Sequence, residues 1–135
     1  YRSDKFMPYF NDDYLIRRDE DFFNVYLSVI SKNPDITIED AIRIAIHSPA
    51  KEYYISIPKA LIYCNKICKR KKLPISPHSE KRIAINIYNA AVKKSRNENI
   101  PLREAVAYTV VNAAPRFYIT RSMAREIIHK MIHRK

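Results

Sequence analysis

The sequence predicts an all-α fold: a tandem repeat of two three-helix units with a period of about 64 residues, packed as one body behind an irregular N-terminal arm. Three observations predict it. Sliding the chain by 64 positions lays Ser31 to Ala60 over Ser95 to Ala124 without a gap, and eight of the thirty pairs are identical. Apolar residues recur at helical spacing in both stretches, and no run of alternating residues competes as a strand. The connection between the stretches is too short, and each too small, to favour separate lobes.

Taken in order, residues 1–18 are aromatic and mixed in charge without a clean period, and are read as the arm. Unit one covers 19–72. Its first helix starts at Asp19, where three acids complement the helix N-terminus, and buries Phe22, Phe23, Tyr26, Leu27 and Ile30. Thr37 caps a second helix through Ala41, Ile42, Ala45 and Ile46, which Pro49 ends. Glu52 to Ile55 reads as extended. Ser56 then caps a third helix that tolerates Pro58 in its first turn and buries Ile57, Ala60, Leu61, Cys64, Ile67 and Cys68.

Unit two covers 73–135. Ser76-Pro77 has the cap-then-proline signature of a helix running to about Arg96. Leu102 to about Asn112 and Arg121 to about His133 complete the unit. Ile55 with Ala60, and Ile119 with Ala124, stand at the positions that pack together in a hydrophobic staple.

Composition narrows the function. The chain has no glycine, which removes the phosphate-cradling loop, the dinucleotide fingerprint and the nucleophile elbow, all of which need it for close backbone approach or a strained turn. Charge is placed unevenly: residues 1–40 hold nine acids and five bases, and residues 41–135 hold five acids and twenty bases. Such asymmetry points to an anionic partner for the second part, nucleic acid above all. With no apolar stretch of spanning length and no signal peptide, no membrane partner is expected. The predicted location is the cytoplasm of a bacterial host, or a virion.

The third helices carry the basic residues that make this concrete. Lys59, Tyr63, Lys66 and Arg70 fall opposite the apolar stripe of unit one, extended by Lys69, Lys71 and Lys72. In unit two Arg121, Arg125 and His129 form a row beside Lys130 and Arg134, with Arg116 just before the helix. Glu126 is the only acid on either helix. A solvated helix face accounts for any one of these lysines, but the doubled placement fits contact with phosphates independent of sequence. Tyr63 among the bases is placed either to stack on an exposed base or to lie half-buried. About eight residues separate the second helix from the third, too many for a helix-turn-helix.

Cys64 and Cys68, and His129 and His133, have metal-ligand spacing. The repeat sets the cysteines opposite Ile128 and Ile132, and the histidines opposite Asn65 and Lys69, so the two pairs belong to different faces and no metal site is expected. The acid clusters Asp12-Asp13 and Asp19-Glu20-Asp21 suggest a loop and a helix start, not a converging catalytic set, and no enzyme and no cofactor are expected.

Pro115-Arg116-Phe117-Tyr118-Ile119-Thr120, and more loosely Glu52-Tyr53-Tyr54-Ile55-Ser56, resemble a segment that precedes a helix in small all-helical proteins of unknown function from Bacteroidetes bacteria and their phages. The resemblance implies a recurring helical unit and a phage or mobile-element origin. It brings no activity with it.

The reading that follows is a non-enzymatic accessory or architectural protein that binds nucleic acid through the basic third helix of each unit. The alternative is a structural or interaction protein, such as a virion component, whose basic face meets an acidic protein and whose arm contacts a protein partner or a second copy.

Overall fold

The computed structural model describes residues 13–69 and 78–134, the side chains of 13 and 78–80 excepted. It contains six helices, α1 (Asp13–Lys32), α2 (Ile38–Ile46), α3 (Ile57–Cys68), α4 (His78–Glu98), α5 (Leu102–Val111) and α6 (Arg121–Ile132), and no strand among the described residues. The all-α expectation therefore holds.

Local chemistry explains most of the boundaries. Thr37, Ser56 and Thr120 each accept a hydrogen bond on the side-chain oxygen from the amide three residues on, at 3.1, 3.2 and 3.1 Å, which starts α2, α3 and α6. α5 begins at Pro101 without a side-chain cap. α4 ends where Asn99 takes a left-handed φ of 54°, letting the Ile100 amide reach back to the Ser95 carbonyl.

α1 starts at Asp13, six residues before the expected start. Its first turns bury little: Leu15 and Ile16 are exposed, so no apolar period announces them. They are held instead by polar contacts, with Arg17 in a two-pronged ion pair to Glu52 and packed over the Tyr14 ring. Residues 13–18 of the expected arm are thus helical, and 1–12 lie outside the described residues.

The packing is exchanged between the two stretches. α3 lies against α4 and α5, while α6 lies against α1 and α2; among the described residues α3 makes no helix contact within 19–56, and none with α6. The segments that carry the chain from α2 to α3 and from α5 to α6 cross between the resulting bundles. Where they pass, Ala50 and Ala114 form an isolated antiparallel bridge, and the Phe117 amide donates to the Ile46 carbonyl at 2.9 Å.

Aromatic rings close this seam. Tyr53 stacks on Tyr118 and Tyr54 on Phe117, with centroids 6.0 and 6.1 Å apart, and Phe117 meets Phe22 of α1 edge to face at 5.4 Å. Phe22, Phe117, Ile42, Ile87 and Val106 are the largest fully buried side chains. Ile55, Ala60, Ile119 and Ala124, the expected staple positions, are all buried.

Candidate nucleic-acid interface

The exchange decides where the basic charge ends up. The bundle α1-α2-α6 holds seven bases and seven acids, whereas α3-α4-α5 holds eight bases and three acids. The acids near the N-terminus are brought to α6, not to α3.

On α6 the expected basic row is therefore largely ion-paired. Arg125 donates to both carboxylate oxygens of Glu39 at 2.6 and 2.9 Å. Lys130 Nζ donates to Asp19 at 2.6 Å, and Arg134 lies 3.8 Å from Glu20. Asp19 is 6% exposed and also accepts from Arg18 at 2.9 and 3.1 Å, so its charge is compensated twice. Arg121 is exposed with no ion-pair partner among the described residues. His129 and His133 are exposed with ring centroids 4.2 Å apart, and the His129 carbonyl is the partner of His133 Nδ1.

On α3 no acid is available within the helix. Lys59 and Lys69 are exposed and Lys66 half-buried; Lys66 and Lys69 have no carboxylate partner among the described residues. Arg70, Lys71 and Lys72 lie outside the described residues. Tyr63 is a correction: at 4% exposure it is a core residue, with the Lys59 ammonium 5.9 Å from its ring centre, and offers no surface for an unstacked base. Cys68, expected in the core, is exposed, while Cys64 is buried and burial pushes its thiol up to about 11. α4 and α5 clasp a face centred on Ala60, Tyr63 and Cys64, slightly rotated from the expected stripe.

Sequence reasoning passed over α4, which adds Lys81, Arg82, Lys93 and Arg96 to the same bundle, none ion-paired among the described residues. Lys94 is committed to Glu98 at 2.7 Å and lies over the Tyr108 ring. The available signal was the count of bases on the helix itself.

Arg116 behaves differently from the helix lysines. It is half-buried, its Nε donates to the Phe117 carbonyl at 3.2 Å, and its guanidinium lies 5.6 Å from the centre of the Tyr118 ring. The Arg82 guanidinium lies 6.0 Å from the same ring. Burial, then the Arg82 charge, holds Arg116 below the usual arginine range. Tyr118 is buried, and among the described residues its hydroxyl has no hydrogen-bond partner, a condition that costs about 1–3 kcal/mol.

Comparison with protein-family models, curated proteins and solved structures finds no match.

Among the described residues no three metal-ligating side chains come together. Cys64 and Cys68 stand on α3, His129 on α6 and His133 at its C-terminal cap, in different bundles. No described helix is long and apolar enough to cross a membrane.

Proposed function

We propose that this protein binds nucleic acid through phosphate contacts made by the α3-α4-α5 bundle, as an accessory or architectural factor and not as a catalyst. The observation that carries the reading is the division of charge. Seven bases balance seven acids in one bundle, and the excess of the other is concentrated on α3 and α4, where Lys66, Lys69, Lys81 and Lys93 have no described carboxylate partner. A solubility coat needs no such division. A polyanion-binding surface does, because each phosphate neutralised releases a counterion only if the cation is not already neutralised by a carboxylate.

The reading narrows the interface to one bundle. Arg125 and Lys130 of α6, with Arg134 just past it, serve the fold, and Lys66 of α3 and Lys69 at its end serve the ligand. A duplication of a three-helix unit accounts for the architecture: the bounds of α3 shifted by 64 are those of α6, and the seam joins Ala50 to its own counterpart, Ala114. Such a protein works wherever its polymer is, in a bacterial cytoplasm or packaged in a virion.

Binding to a duplex of unrelated sequence, measured between about 50 and 200 mM salt, tests the proposal. Engagement of roughly five to nine phosphates gives a log-log slope of about −4 to −8. Absent binding at low salt would refute it and favour an acidic protein surface as the partner.

A further inference from the structure

Beyond the α3 surface, we propose that Arg82 and Arg116 form an anion site at the edge of the Tyr118 ring that takes a phosphoryl group, free or in a polymer backbone. None of the α3 lysines takes part.

Two places in the molecule correspond. Phe22 and Tyr26 of α1 occupy the buried positions that Ile87 and Ala91 occupy in α4, 65 residues on, so Arg17 corresponds to Arg82 and Asp21 to Asn86. In the connecting segments the offset is 64, so Glu52 corresponds to Arg116 and Tyr54 to Tyr118. The first place is electrostatically complete: Arg17 donates twice to Glu52 at 2.9 and 3.1 Å, and the Tyr54 hydroxyl donates to Asp21 at 2.6 Å.

At the second place both acids are gone. An arginine stands where Glu52 stood, and the amide of Asn86, where Asp21 stood, accepts from Tyr53 at 3.4 Å instead of from Tyr118. Two guanidiniums are left within 6.0 Å of the centre of one buried ring, with no carboxylate among the described residues compensating either. The side chain of Glu80, the nearest acid in sequence to Arg82, lies outside the described residues.

Like charges so placed repel, and the half-buried Arg116 loses part of its solvation as well. A ligand with several anionic oxygens removes both penalties at once, and the planar forks of two arginines suit a phosphoryl group better than a single-point anion.

The test is thermal unfolding of the full chain against inorganic pyrophosphate, in wild type, Arg82→Gln, Arg116→Gln and Arg116→Glu, with chloride held constant. The wild-type midpoint rises by about 3–6 °C at roughly ten times the dissociation constant. Either glutamine variant removes most of that response. Arg116→Glu restores the missing ion pair, so its midpoint without ligand is higher than wild type and its response to pyrophosphate is lost.

A short duplex DNA provides the second arm. If Arg82→Gln and Arg116→Gln weaken duplex binding several-fold while wild type ignores pyrophosphate, the phosphoryl group is that of a backbone; if wild type answers to pyrophosphate, a free phosphate suffices. Lys66→Gln/Lys69→Gln lowers duplex affinity but leaves the pyrophosphate response intact, which separates this site from the α3 surface. If neither ligand's effect depends on Arg82 or Arg116, or if Arg116→Glu keeps the full response, the site does not exist.

Discussion

Ala50 and Ala114 donate their amides to each other's carbonyls at 3.0 Å, although 64 residues separate them. This bridge marks the point where the two connecting segments pass and each third helix leaves its own stretch for the helices of the other. Each bundle consequently draws on both halves of the chain.

Fragments 1–69 and 78–135 should not fold alone, because each lacks the helix that covers its first two. Circular dichroism should show little helix in either fragment and recovery of helix when they are mixed. Full helicity in a monomeric fragment 1–69 would contradict the exchanged packing.

The ion pairs of α6 should differ sharply in value. Asp19→Asn takes from Lys130 and Arg18 the buried carboxylate charge they share and puts an amide donor in place of one acceptor oxygen, and should destabilise by about 2–3 kcal/mol. Glu39→Gln breaks a pair whose side chains are both half-exposed, and should cost less than about 1 kcal/mol. Denaturant midpoints of the two variants, at matched ionic strength, make the comparison.

Two tyrosine-to-phenylalanine changes should diverge in the same way. Tyr54 has a left-handed φ of 60°, an expensive conformation for a bulky residue, supported by its stack on Phe117 and its bond to Asp21. Tyr54→Phe should therefore destabilise by about 1–3 kcal/mol, while Tyr118→Phe removes an unpartnered hydroxyl and should be neutral or stabilising. Urea unfolding decides it.

Stability should fall in alkali. Burial pushes Cys64 up to about 11 and Tyr53 up to about 12, and raises Tyr26, Tyr54 and Tyr118 as well. For groups raised on folding, the neutral form belongs to the native state: their contribution is complete below the ordinary thiol value of about 8.5 and is lost as pH climbs through the folded values. Unfolding midpoints should be flat in this respect to about pH 8.5 and decline between about pH 9 and 12. A thiol reagent at neutral pH should label exposed Cys68 quickly and Cys64 only on unfolding.

The helices and much of the core were legible because caps and apolar spacing are local. Thr37 and Ser56 announce their helices, and Ala41, Ile42, Ala45 and Ile46 are all buried as their spacing requires. Periodicity says which face of a helix is covered but not by which neighbour, so the exchange of α3 and α6 was invisible, and with it the neutralisation of Arg125 and Lys130. Tyr63 and Cys68 were misplaced for a related reason: two covering helices fix the centre of a buried stripe, and the sequence shows only its width. That Arg116 stands 64 residues after Glu52 was visible in the sequence. Its meaning needed Tyr118 and Arg82 beside it.

The most direct test of the central claim compares duplex binding by Lys59→Gln/Lys66→Gln/Lys69→Gln with Arg125→Gln/Arg134→Gln across a salt series. Polyanion binding by the α3 bundle predicts that the α3 triple variant loses at least tenfold in affinity at low salt and about 2 to 3 in log-log slope, while the α6 pair stays close to wild type. Equal losses in the two variants, or a loss confined to α6, would contradict it.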